Sequence, residues 1–184
     1  SDLYVSGSFR RDGSSRLSRD SRWGNFWSVS GSWRLSQEAF MESLSNVITD
    51  AKIRASYGVN GTQPKDYYGY MGVYEFGYNY NGNGGSSEAR FYNPSLKWEK
   101  NYATNIGIDL TLFNRLTVSA EWYNRETKDL LMDKPISAAV GVINSSGVAN
   151  MLVNVGSMRN RGFELELKST NIQNKDLLWT KIGR

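Results

Sequence analysis

Two runs of two-residue alternation, joined by a tight link, constrain this chain more than any other feature. From Tyr102, the residues Tyr102, Thr104, Ile106, Ile108, Leu110 and Leu112 fall on one face. Ala103, Asn105, Gly107, Asp109 and Thr111 fall on the other. After Asn114-Arg115 the pattern resumes, with Leu116, Val118, Ala120 and Trp122 set against Thr117, Ser119, Glu121 and Tyr123. Successive side chains of a strand point to opposite faces. The segment therefore reads as two strands, each with one greasy and one polar side.

The same alternation predicts strands at about 2–11, 24–35, 50–59 and 160–170, and a seventh that runs to the C-terminus. Both termini read as cuts through a longer chain. Residues 36–47 break the period: Phe40, Leu44 and Val47 sit at helical spacing behind Ser36, a possible N-cap. A short helix or compact turn is expected there. The stretch 60–97 reads as a long irregular loop holding many tyrosines and Asn81-Gly82-Asn83-Gly84-Gly85, and 128–157 as another. A polar turn is expected around Asn174-Lys175-Asp176. The connections then alternate in length. Those at 12–23, 60–97 and 128–157 are long, and those at 36–47, 113–116 and 171–176 are short. In an up-and-down meander, all the long loops share one end, as in outer-membrane β-barrels. Trp23, Trp98 and Trp122 near strand ends suit aromatic girdles.

The expected fold class is all-β: an antiparallel up-and-down transmembrane β-barrel segment of about seven strands. Bacterial barrels have an even strand number of about eight or more, so seven strands imply part of a larger barrel. The greasy face would touch lipid and the polar face a water-filled lumen. A soluble β-sandwich alternates equally well, which leaves a carbohydrate-binding module using the tyrosine-rich loop as the alternative. A passive porin and a glycosidase are further rivals.

Composition supports β structure, with 18 Gly, 11 Tyr, 6 Trp and 7 Phe in 184 residues. There is no Cys and no His, which removes disulfides, thiol nucleophiles, Cys/His zinc sites and His-dependent triads. No run of about 18 apolar residues marks a transmembrane helix. The net charge of +4 is partly local, with Arg10, Arg11, Arg16, Arg19 and Arg22 crowded together. Without a nucleic-acid-binding fold this reads as a solvated loop, open to acidic lipopolysaccharide or a partner protein. Glu164 and Glu166 read as a lumen-facing row rather than a catalytic pair. Gly82, Gly84 and Gly85 lack the strand, helix and Lys of a phosphate loop. No catalytic residue, metal site or cofactor is expected. The binding candidates are Tyr67, Tyr68, Tyr70, Tyr74 and Tyr78, because aromatic rings stack on sugar faces and pack on peptides.

Several ordered motifs carry a family likeness. VSGSFRRDGSSR (5–16), RWGNF (22–26), LSNVITDAKIRASYGVNG (44–61), NPSLKWE (93–99) with TNIGID (104–109), and NVGSMRNRGFE (154–164) together resemble the barrel of SusC/RagA-type TonB-dependent transporters. They span most of the chain outside the two long loops. The resemblance implies a 22-stranded outer-membrane barrel of a Gram-negative bacterium, preceded by a plug domain and a TonB box that engages the energy-transducing complex. It implies a SusD-like surface lipoprotein as lid, and a glycan or peptide as ligand. Residues 1–184 would then be a partial barrel from its later half, with plug and TonB box outside this sequence.

Overall fold

The computed structural model describes residues 2–67, 69–137, 149–173 and 178–183. Eleven strands form among these residues. They are β1 (Asp2–Gly13), β2 (Trp23–Arg34), β3 (Ile48–Thr62), β4 (Val73–Tyr80), β5 (Asn83–Arg90), β6 (Glu99–Leu112), β7 (Leu116–Lys128), β8 (Leu131–Ile136), β9 (Ala149–Asn154), β10 (Ser157–Gln173) and β11 (Leu178–Gly183). Seven of them make one sheet in the order β1-β2-β3-β6-β7-β10-β11. Every neighbouring pair is antiparallel. This is the expected meander: the strands predicted at 2–11, 50–59, 102–112, 116–123 and 160–170 lie inside observed ones, and the one at 24–35 overruns β2 by a single residue, Leu35, which opens the first 3-10 turn.

The register sorts side chains into two continuous faces. One row runs Val5, Gly31, Ala55, Ile106, Trp122, Phe163 from β1 to β10. The row one residue away runs Ser6, Ser30, Ser56, Asn105, Tyr123, Gly162. A slip of one residue in any strand would exchange the two faces, so the pattern pins the register. The apolar face is open: Val5 is 73% exposed, Phe9 69%, Ile106 49% and Phe163 65%. A β-sandwich would cover that face with a second sheet about 10 Å away. Among the described residues the other sheets are two small ladders, β4-β5 and β8-β9. The sandwich is thereby set aside.

The long connections, 14–22, 63–98 and 129–156, meet at one end of the sheet, and the two described short ones, 35–47 and 113–115, lie together at the other. The segment 36–47 is a pair of 3-10 turns, Leu35–Gln37 and Ala39–Leu44. Ser36 is not an N-cap. Arg34 and Glu38 precede the two turns without a side-chain cap, while Ser36 Oγ donates to Asp50 Oδ1 at 2.8 Å. The expected polar turn at 174–176 lies outside the described residues.

Two corrections concern the long loops, which carry strands of their own. The segment 60–97 contains the β4-β5 hairpin. Asn81 (φ 53°) and Gly82 (φ 81°) turn it with positive φ at both central positions. That is the Asn-Gly type I′ signal between alternating runs, and the aromatic crowding around it masked it. In 128–157, β8 pairs with β9 from Leu131↔Asn154 to Ile136↔Ala149.

Candidate functional site: the loop end and the polar face

The largest fully buried side chains, Phe26, Leu17, Leu96 and Pro64, lie at the loop end. Leu17 and Leu96 are 0% exposed, and Phe26, Trp98 and Leu152 join them in one cluster, with Leu131 against it. Phe26 projects from β2 on the polar face and meets Trp98 edge-on, with centroids 5.3 Å apart. Its ring lies over Gly24 and Gly61, where a Cβ would overlap it. Two strands thus leave a hollow that admits the tip of an aromatic ring close to backbone. Leucines from all three long connections then close over it.

The motif NPSLKWE supplies most of the fastening. Asn93 Nδ2 donates to the Leu152 carbonyl (2.9 Å), and Asn93 Oδ1 accepts the Ser95 amide (3.1 Å). Leu96 fills the cluster, and Trp98 Nε1 donates to the Arg22 carbonyl (3.0 Å). The Glu99 carboxylate accepts the Leu131 amide (3.1 Å). Asn154, at the start of the motif NVGSMRNRGFE, answers it. Its Nδ2 donates to the carbonyls of Lys97 (3.0 Å) and Asp129 (2.8 Å), and its Oδ1 accepts the Lys97 amide (2.8 Å). Two of the motifs that carry the likeness therefore bracket each other across about sixty residues of chain. Sequence reasoning gave Asn93 and Asn154 no individual role, because a side-chain bridge between distant loops has no periodic signature.

The arginine-rich segment is drawn into this floor. Arg16 Nη1 donates to the Pro64 carbonyl (2.9 Å), and its guanidinium lies 4.2 Å from the Tyr67 ring centroid. Ser14 Oγ donates to Gln63 Oε1 (2.8 Å). Hydrogen bonding and charge from Arg16 hold the Tyr67 phenol below its usual pKa. Arg10 pairs with Asp12 (3.0 Å), and Arg11 rests on Trp23. Consecutive in sequence, Arg10 and Arg11 fall on opposite faces of β1.

The expected tyrosine cluster is not one unit. Tyr67 is clasped by Arg16. Tyr70 is half-buried beside Gly69, which itself packs on Leu152 and Leu96. Tyr74 is carried out on β4 and is 59% exposed. Phe76, which the tyrosine count passed over, is 84% exposed. A bulge at Gly77 (φ 111°) breaks the two-residue repeat between Tyr74 and Tyr78. Tyr68 and the side chain of Tyr78 lie outside the described residues.

Along the polar face runs a groove of about 450 Å³, lined by Tyr4, Ser6, Ser30, Ser32, Arg54 and Glu121 among others. Arg54 crosses it, with Nη1 2.6 Å from Glu121 Oε2 and Nε 3.2 Å from Asp109 Oδ2, while Ser119 Oγ donates to Asp109 Oδ1 (2.7 Å). This wall is built from hydroxyls and paired charges. It can hydrogen-bond a polar solute, and it holds its charges side by side in partial solvent. Glu121 is committed to Arg54, and Glu164 stands directly opposite it in the register. The face carries no group poised for bond chemistry among these residues.

A sheet that is greasy outside and hydroxyl-lined inside, with its long loops gathered at one end, is the wall of an outer-membrane β-barrel. The chain belongs to the TonB-dependent receptor-like β-barrel family, whose model matches residues 1–183. It is 37% identical to TonB-dependent receptor P39 of Formosa agariphila over 98% of this chain. It is 34% identical to TonB-dependent receptor SusC of Bacteroides thetaiotaomicron over 92% of it. The chain spans 17% of the length of each of these relatives. Among solved structures it resembles the RagAB peptide importer in its closed-closed state, with a TM-score of 0.81 and 33% identity over 94% of this chain and 18% of that one. The SusC/RagA likeness read from the motifs is thus shown, as is the outer-membrane setting.

Proposed function

We propose that this chain supplies seven consecutive strands of a wider barrel, 22-stranded by resemblance, in an outer-membrane importer driven through TonB. The observation that carries the reading is the unbroken apolar face of the sheet, open across β1 to β10, backed by a polar face of the same extent. In water such a surface far exceeds the patches that monomers tolerate. In lipid it is the required surface. β1 and β11 each keep one free edge in the seven-stranded order, and further strands of the same protein would close them.

In this reading the long loops face outward and the lumen wall is the serine-lined groove. A plug domain elsewhere in the protein occludes the barrel until the inner-membrane complex moves it. A SusD-like lipoprotein closes over the loop end with a peptide or an oligosaccharide beneath it. The name of the RagAB peptide importer favours peptide for that relative. Tyr74 and Phe76, raised on the β4-β5 arm, are the rings placed to meet ligand or lid. Tyr67, 63% exposed beside Arg16, stays a candidate for the same contact.

Two measurements test this. The native polypeptide should extract from the outer membrane only with detergent, at a mass several-fold above 20.8 kDa. A water-soluble species of that smaller mass would sink the barrel reading. Deleting the gene should abolish growth on oligopeptides or on oligosaccharides as sole source. Unchanged uptake of both would remove the import assignment.

A further inference from the structure

The outward face of the sheet does not stay apolar to its loop end. On β6, β7 and β10, beyond Trp122 and Phe163, the same parity continues into charge. Asn124 stands opposite Arg161, Glu126 opposite Arg159, and Lys128 opposite both Lys100 and Ser157. Three contacts verify the face. Lys128 Nζ lies 5.2 Å from the Tyr102 ring centroid and 3.7 Å from Glu126, and Arg159 Nη2 meets Glu126 Oε2 at 3.1 Å. Four cations, Lys100, Lys128, Arg159 and Arg161, therefore surround one carboxylate. All four are exposed, with the Arg159 side chain at 57% and that of Lys128 at 51%. Lys100 and Arg161 have no ion pair among the described residues.

The arrangement is costly by itself. Directly opposed like charges such as Lys100 and Lys128 weaken an antiparallel pair, and Glu126 can offset only part of four positive charges. One step below, Trp122 (40% exposed) and Phe163 (65% exposed) present bare rings. Cations directly above rings, on the lipid side of the wall and at its outer rim, match an amphiphile whose acyl chains lie on the rings and whose phosphates meet the cations. Guanidinium and ammonium groups bind phosphate strongly where water is partly excluded.

We propose that Lys100, Lys128, Arg159 and Arg161 form a binding site on the outer wall for the phosphates of lipid A, the phosphorylated glycolipid of the outer leaflet. The site rests on the reading above that the long loops face outward. Bound phosphate bridges Lys100 to Lys128 and reaches Arg161, relieving their repulsion and fixing the loop end of β6-β7-β10 at the membrane surface.

The test uses the full-length parent protein, extracted in mild detergent and incubated with diphosphoryl lipid A, dephosphorylated lipid A or phosphatidylglycerol, with retention read by native mass spectrometry. Diphosphoryl lipid A should be retained several-fold better than either alternative. The double variant K100Q/R161Q, which breaks no described ion pair, should lose that preference. Equal retention by parent and variant, or equal retention of phosphatidylglycerol, overturns the site. A nitroxide at Phe163→Cys in vesicles separates this failure from a deeper one. If oxygen reaches the label and a water-soluble nickel chelate does not, the barrel reading stands whatever lipid A does. A label open to nickel overturns the barrel reading and this site with it.

Discussion

At the scale of the residue, the loop end depends on a few side chains with several partners each. Asn154 makes three hydrogen bonds to two other segments. At about 1 kcal/mol per bond, Asn154→Ala should loosen the floor by about 3 kcal/mol. The check is hydrogen exchange, with the amides of Leu131 and Val155 losing protection and the centres of β6 and β7 keeping theirs. Gly61→Ala should force the Phe26 ring out of its hollow, at a cost of about 1–3 kcal/mol of overpacking, visible as a lower Tm of the detergent-solubilised protein. Arg16→Ala should raise the Tyr67 titration toward the ordinary phenol value, because the hydrogen bond and positive charge that favour the phenolate are gone. Alkaline difference absorbance would show the shift upward, and no shift would mean the clasp is absent in solution. Of these residues the sequence singled out Tyr67, for ligand contact, and Arg16, as part of the arginine-rich segment, and neither for the clasp.

At the scale of the element, long strands were easy to see and short ones were not. β6 and β7 hold a strict period over most of their length and β10 from Phe163 to Lys168, so their polar and apolar faces are legible in the sequence. β4 is interrupted by Gly77 and pairs across register shifts, so its alternation breaks before it accumulates. β8 and β9 are six residues each, and twelve residues separate them along the chain. Ladder partners that far apart leave no local mark. The one legible sign was Asn81-Gly82. Gly82→Val places a β-branched residue at φ 81° and should cost about 1–2 kcal/mol. The loss should be confined to β4-β5: cleavage of the hairpin by a nonspecific protease should speed up while the far-ultraviolet circular dichroism of the main sheet holds.

At the scale of the whole molecule, the two faces give opposite responses to the same change. Val29 and Ser30 are neighbours in the middle of β2, one on each face. Val29→Lys puts an ammonium toward hydrocarbon and should cost about 2–4 kcal/mol near the midplane. Ser30→Lys adds a cation to a wet wall and should stay within about 0.5 kcal/mol. Urea titration of the protein in vesicles separates them, and equal losses would argue against lipid on the Val29 side.

The sequence by itself determined the sheet: the period of two selects strands, and the cost of exposing the wrong face sets their register. Alternating loop lengths then place the long loops at one end. Tertiary structure alone decided what those loops do. Asn93, Asn154, Arg16 and Phe26 find partners tens of residues away, and such contacts follow from where three loops converge in space. The same holds for the cations on the outer rim. Lys100, Lys128, Arg159 and Arg161 are scattered singly along the chain, and only the pairing of β6, β7 and β10 brings them onto one surface.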